Sequence, residues 1–201
     1  MWCSVRWFDL PIFECNSSSP CEQTKCSQRV VQHNKCPPLL VVLTGVPAKG
    51  KGLVSSIPLK EGRFVIRYAG EIVSDSEALR RRERQEEDKH ENTYLLTMCE
   101  HSQETGRSYH IHVDAKKSGN CARYINHSCG PNLIPMCVRS ETMLPTVAFF
   151  ALKDIPACTE LTFDYAYRSS AETLDTPPLS STPCHCGSAE CRKYLPKSDP
   201  R

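Results

Sequence analysis

Thirteen cysteines lie in a chain of 201 residues, and they gather at its two ends. Cys3, Cys15, Cys21, Cys26 and Cys36 fall in residues 1–36, and Cys184, Cys186 and Cys191 fall near the other end. The odd total argues against a complete disulfide framework, and no cationic stretch followed by an apolar core opens the chain to mark it for export. Without such a signal, the glycosylation-like triplets Asn16-Ser17-Ser18 and Asn126-His127-Ser128 read as accidental. In a reducing compartment, clustered thiols serve as metal ligands more often than as disulfides. Residues 1–36 show little periodicity, which predicts irregular chain held by something other than a core.

The tail cluster Cys184-His185-Cys186-Gly187-Ser188-Ala189-Glu190-Cys191 has the form C-x-C-x4-C. Three thiolates in so tight a turn grip one face of a tetrahedral zinc, and Gly187 relieves the backbone where it curls. A closed site needs a fourth ligand. His185 sits between two cysteines and points away, so the fourth must come from elsewhere in the chain. The alternative is a flexible tail carrying reduced surface thiols.

Between the ends the pattern is short and mostly β. Residues 39–44 and 53–57 are apolar or β-branched runs separated by the turn-rich Gly45–Gly52 stretch, and Arg63–Tyr68 alternates up to Gly70. Ser74-Asp75-Ser76-Glu77 has the form of a capping box. It predicts a helix through Ala78-Leu79 into the charged run Arg80–His90, whose mixed signs fit a solvated face. Tyr94–Met98 and Tyr109–Val113 predict a strand pair, and Val147–Leu152 and Leu161–Phe163 two further strands. Arg168–Pro183 is rich in Ser, Thr and Pro and predicts a mobile linker.

Charge and hydropathy narrow the partners. A net charge of +2, from 25 basic and 23 acidic residues, leaves no electrostatic footprint for nucleic acid, so direct DNA binding is not supported. A mean hydropathy of -0.43 fits a soluble globular chain, and no apolar run approaches the ~18 residues of a membrane span.

Two segments carry the chemistry. The first, Arg123-Tyr124-Ile125-Asn126-His127-Ser128-Cys129, runs on into Gly130-Pro131-Asn132; alone it could be a loop of Asx-type turns. The second, Glu160-Leu161-Thr162-Phe163-Asp164-Tyr165, is a short strand ending in a phenol. Together they resemble the two signature segments of SET-domain protein-lysine methyltransferases. The resemblance continues at Lys49-Gly50-Lys51-Gly52-Leu53, at Tyr68-Ala69-Gly70-Glu71 and at the tail cysteines, and covers residues 13–195. Phe13-Glu14-Cys15-Asn16, Gln28-Arg29-Val30-Val31-Gln32 and Ala148-Phe149-Phe150-Ala151 are similar to the suppressor-of-variegation branch, its metnase-like members in particular.

The resemblance implies a mostly β fold with short helices: small sheets around a knot-like threaded active site, plus a zinc-binding post-SET segment. It divides the chain into a partial pre-SET-like cysteine region (1–36), a SET domain (37–167), a linker (168–183) and a post-SET zinc segment (184–201). It implies methyl transfer from S-adenosyl-L-methionine to a protein lysine. The implied substrate is a histone tail, at lysine nine of histone three, and the implied setting is the nucleus and chromosome, as a chromatin regulator. Carried over residue by residue, Lys49, Gly50, Lys51, Tyr94, Arg123, Asn126 and His127 serve the cofactor. Tyr165 is the catalytic tyrosine and Tyr68 a second channel tyrosine. Phe163 holds the switch position, where the lack of a hydroxyl leaves room for di- or trimethylation. Cys129 joins Cys184, Cys186 and Cys191 as the fourth zinc ligand. Outside the family context, Tyr94 reads as a half-buried strand aromatic and Tyr165 as a core phenol.

The chain also departs from the family. Lys51 stands where relatives usually carry Trp. Of the branch's nine-cysteine, three-zinc pre-SET cluster only Cys15, Cys21 and Cys26 are recognisable, spaced C-x5-C-x4-C, so a complete three-zinc cluster is not expected. Cys36, Cys99, Cys121, Cys137 and Cys158 have no metal-like spacing and read as small core or surface residues. Tyr167 is close to, but out of register with, a further channel aromatic. Glu71, Glu160 and Asp164 are expected to favour a basic tail. Two other functions remain open: methylation of a non-histone protein, and an inactive SET scaffold that binds partners through zinc-ordered surfaces.

Overall fold

A computed structural model describes residues 12–87, 94–101, 106–166 and 182–196. Cys3, His90, Tyr167 and most of the expected linker lie outside these residues. The described chain is mostly strand. In order it forms β1 (Ile12–Phe13), β2 (Leu39–Leu43), β3 (Lys51–Ser55), β4 (Phe64–Arg67), β5 (Glu71–Val73), helix α1 (Asp75–Glu87), β6 (Leu95–His101) and β7 (Ser108–Asp114). A 3-10 turn (Cys121–Tyr124), β8 (Asn126–His127), β9 (Leu133–Arg139), β10 (Thr146–Ala151) and β11 (Glu160–Phe163) follow. These strands make three small sheets, ordered β1-β9-β10-β4, β2-β3-β11-β8 and β5-β7-β6.

The first sheet is buried on both faces, and its side chains alternate accordingly. Leu133 and Cys137 of β9, with Val147, Phe149 and Ala151 of β10, face the main core with Leu53, Val65, Ile125, Leu161 and Phe163. Ile134, Met136 and Val138 of β9, with Ala148 and Phe150 of β10, face a second core with Val31 and Phe64. Ile12 and Val30 pack onto that second core. The front of the chain therefore packs into a core, where its lack of periodicity predicted irregular chain held by something other than one. Glu14 adds a polar anchor: its two carboxylate oxygens accept the backbone N–H of Val31 at 2.7 Å and of Gln32 at 2.9 Å.

Helix α1 starts as its sequence predicts, but only half of the capping box forms. The Ser74 hydroxyl accepts the Glu77 N–H at 3.4 Å, while the Glu77 carboxylate turns to Arg80 and Arg81. Ala78 is fully buried and Leu79 is exposed, so the helix offers the core little more than one side chain. Arg81 fixes it to the third sheet through Glu71 and Asp114. Among the isolated cysteines, Cys137 is buried, Cys36 and Cys121 pack against the main core and Cys158 is exposed.

The functional geometry follows from the threading of β11. It pairs antiparallel with β3 on one side and parallel with β8 on the other. Asn132 pins this crossing: its amide donates to the Glu160 carbonyl at 2.8 Å and its side-chain oxygen accepts the Thr162 N–H at 2.8 Å. No helix among the described residues is long and apolar enough to cross a membrane.

Candidate active site

Parallel pairing aligns Asn126 with Thr162 and His127 with Phe163, so the two motif segments lie side by side although 34 residues separate Asn126 from Glu160. Tyr165 follows at the end of β11. Its backbone N–H donates to His127 Nδ1 at 3.2 Å, and its hydroxyl donates to the Ile125 carbonyl at 3.0 Å. Since Nδ1 accepts, the His127 proton sits on Nε2, which lies 3.3 Å from Cys129 Sγ. Burial holds the His127 pKa near 4, against the pull of Asp164.

The aromatic rings form a continuous lining. The Phe163 centroid is 4.7 Å from that of Tyr165 and 4.9 Å from that of Phe149, whose ring meets Tyr68 edge-on at 6.2 Å. The Tyr68 hydroxyl donates to the Tyr94 carbonyl at 2.6 Å. Tyr165 leaves 41% of its surface exposed, yet its hydroxyl points inward. Burial pushes both the Tyr68 and the Tyr165 phenols well above their ordinary pKa.

A second group surrounds the same crossing. Asn126 donates from its amide to the Lys51 carbonyl and to the Glu160 carboxylate, both at 2.9 Å. Glu160 also pairs with the Lys49 ammonium. Gly52 makes this packing possible, since a Cβ there would lie 2.9 Å from Thr44 Cγ2 and 3.1 Å from Glu160 Oε1. The Arg123 guanidinium lies over the Tyr94 ring, 3.9 Å from its centroid. Its Nε is buried with no hydrogen-bond partner among the described residues, which leaves a donor for a bound anionic or carbonyl group. Lys51 Nζ lies 5.5 Å from the Tyr124 centroid, so this lysine has an aromatic neighbour. Of the seven residues expected to serve the cofactor, Lys49 and Asn126 meet on Glu160, Asn126 also meets Lys51, Arg123 stacks on Tyr94, and Lys51 and Arg123 both lie near Tyr124.

The thiols also converge. Cys129, Cys184, Cys186 and Cys191 place their sulfurs within 4.8 Å of one another, with Cys129 and Cys184 3.9 Å apart. Four thiolates about 2.3 Å from a tetrahedral zinc stand about 3.8 Å apart, so these residues fit the metal. Burial works to raise the Cys186 thiol, but hydrogen bonds from the backbone of Cys129 and Ser188 outweigh it and bring the pKa down to about 6. Thr182 and Pro183, expected in the linker, belong to this unit through Leu195 and Tyr194. At the front, the Cys15, Cys21 and Cys26 sulfurs also lie within 4.8 Å of one another, beside the buried Arg29 guanidinium.

The three acids expected to favour a basic tail already meet cations of the chain: Glu160 pairs with Lys49 and Asp164 with Arg192, while Glu71 shares Arg81 with Glu77 and Asp114. Sequence reasoning included Asn132 in the first motif without giving it a role, and missed Arg192, which looks like an ordinary tail residue. It also missed the Ile125 carbonyl, a backbone group with no signature.

Comparison with known proteins places this geometry. The SET domain pattern matches residues 50–166. The chain is similar to the histone-lysine N-methyltransferase SETMAR of Mus musculus, with 38% identity over 92% of this chain and 60% of that protein. It is similar to the H3 lysine-9 specific histone-lysine N-methyltransferase KMT1 of Fusarium mangiferae, with 34% identity over 92% of this chain and 56% of that protein. The crystal structure of the methyltransferase domain of human SETMAR superposes with a TM-score of 0.77 at 36% identity, covering 94% of this chain and 68% of that one. The chain spans about 60% of the length of the mouse relative. By the match of its sequence and its fold alike, the chain belongs to the SET-domain family.

Proposed function

We propose that this chain is an S-adenosyl-L-methionine-dependent protein-lysine N-methyltransferase acting on a histone tail, with lysine nine of histone three as its target, on chromatin in the nucleus. The observation that carries this reading is the aromatic lining of Tyr165, Phe163, Phe149 and Tyr68 beside the Asn126–Lys51 contact. The name of the fungal relative supports the choice of lysine.

Bound S-adenosyl-L-methionine supplies a methyl group on a cationic sulfonium, a leaving group that needs no acid. The residues that would hold it are the backbone of Lys49, Gly50 and Lys51, the ring of Tyr94, and Arg123, Asn126 and His127. The attacking lysine must arrive as a neutral amine, although its ordinary pKa is about 10.4. Aromatic walls favour proton loss by desolvating the ammonium. Tyr68 and Tyr165 are not the base that takes that proton, because burial keeps both phenols protonated at neutral pH. Their oxygens orient the amine, and alignment supplies much of the acceleration. Phe163 brings no hydroxyl into this space, so a partly methylated amine still fits and the products extend to di- and trimethyllysine.

Cys129, Cys184, Cys186 and Cys191 would hold a structural zinc that folds the tail against the channel. Cys15, Cys21 and Cys26 form a weaker three-thiol site. The proposed units are those of the family: a partial pre-SET-like region, the SET domain, a linker and the post-SET segment.

The test is purified protein with labelled cofactor and histones. Label should enter histone three, be lost when lysine nine is replaced, and fall about 100-fold or more with Tyr165→Phe, the scale for removing one aligned polar group. Label on other proteins but not on histones would move the substrate, and no cofactor binding by calorimetry would favour the scaffold. Mass spectrometry that finds only monomethyl product at long times would sink the role given to Phe163. With both phenols raised, the rate against pH should show no descending limb below pH about 10, the ordinary phenol value.

A further inference from the structure

The tail meets the motif segments at three points, and the thiol cluster is only one of them. At Gly130 the two segments touch so closely that a Cβ would lie 2.8 Å from the Ser188 hydroxyl. The third point is Arg192, the residue after the ligand Cys191. Its backbone N–H donates to Cys129 Sγ at 3.4 Å, and its guanidinium donates to Asp164 Oδ1 at 2.6 Å. That same carboxylate oxygen accepts the Ala166 N–H at 3.0 Å and lies 3.7 Å from His127 Nδ1. Asp164 is therefore held from the tail on one side and from its own strand end on the other. Tyr165 is the residue between the two groups, Asp164 and Ala166, that this oxygen connects. Its own N–H is fixed on His127.

We propose that Arg192 is a positioning residue that couples the four-thiol site to Tyr165 through Asp164. This rests on the methyl-transfer reading above. The thiol site alone fixes the backbone of residues 184–191, whereas Arg192 carries that fixation across to the strand end that bears the phenol. The ion pair has a purpose other than stability. Arg192 and Asp164 expose 37% and 25% of their side chains, and solvent screening leaves such a pair little net energy. What it supplies is direction: a planar guanidinium aimed at one carboxylate oxygen sets the turn from Phe163 to Ala166. Loss of the pair leaves the zinc ligands in place but frees Tyr165 to shift, and small misplacements at a reacting centre are costly in rate.

The experiment uses the full chain with histone three peptide and labelled cofactor, and reads zinc per protein in parallel. Arg192→Gln should lower kcat about 10- to 100-fold, the range for groups that orient ligands and catalytic residues. Zinc content and the KM for cofactor should stay unchanged. Arg192→Lys should recover part of the rate, and Asp164→Asn should cost as much as Arg192→Gln without adding to it in the double variant. Hydrogen exchange reads the coupling without catalysis: the Tyr165 and Ala166 amides should exchange faster in Arg192→Gln while zinc stays bound. An unchanged kcat in Arg192→Gln, or a loss that merely tracks lost zinc, would overturn the proposal. If the unaltered chain does not methylate the peptide, the methyl-transfer reading fails, and unchanged amide exchange in the variant would then separately refute the coupling.

Discussion

The two cysteine regions use the same ligand type and are attached in opposite ways. The tail gathers four thiols, one of them 55 residues away from its partner Cys184, and leaves most of its own side chains at the surface. The front gathers three thiols within a short stretch, and next to them Val31, Val30 and Ile12 pack in the second core while Glu14 accepts the buried Val31 amide and the partly buried Gln32 amide. The front has apolar surface to bury and needs ligands less. The tail has almost none, so its thiol site is its main attachment. A ligand set matters most where burial contributes least.

The strongest way to break this contrast is to empty the tail site. Cys129→Ser, or zinc removal by a chelator, should lower methyl transfer about 100-fold, the upper range for a disrupted metal environment. Full activity after measured zinc loss would end the argument for the tail. A second attack is on the anchor of the front. Glu14→Ala strands the buried Val31 amide and the partly buried Gln32 amide and should cost about 1.5–3 kcal/mol in denaturant unfolding, as for hydrogen bonds to a charged group. Activity per folded molecule should hold, and a loss of turnover without a loss of stability would tie the front to the site after all. The smallest effect is expected at the front thiols. Cys21→Ser should change methyl transfer by less than about tenfold, below the range for metal-orienting groups. A loss equal to that of Cys129→Ser would make the two regions equivalent.

How much of this was legible depended on whether a residue's neighbours were near in sequence. The strands around Leu39–Leu43, Phe64–Arg67 and Thr146–Ala151 and the paired β6 and β7 follow from runs of β-formers, and α1 from its cap. β9 did not announce itself. It is buried on both faces, so it lacks alternation, and Pro135 interrupts it. That proline is tolerated because β1 pairs only with Val138 and Arg139, which leaves β9 an edge at that point. β1 and β8 are two residues long and exist only through their parallel partners β9 and β11. The site shows the same division. Asn126, His127 and Tyr165 stood out once the two motif segments were taken together. Asn132 and Arg192 act across long sequence separations with side chains that in any loop would bond to water. The acids Glu71, Glu160 and Asp164 were visible as charges, but their partners Arg81, Lys49 and Arg192 were not.

The threading of β11 between β3 and β8 also sets the order in which the molecule can assemble. Neither local propensity nor a hairpin can nucleate a parallel pair whose strands lie 36 residues apart, so loop closure must precede any gain from it. The outer shell, with its β6–β7 and β9–β10 hairpins, can form from neighbouring segments. The centre cannot. During synthesis the two motif segments can meet only after Tyr165 has emerged, and their contacts with Cys191 and Arg192 form only later. The crossing and its tail contacts are therefore the last features of the described chain to assemble.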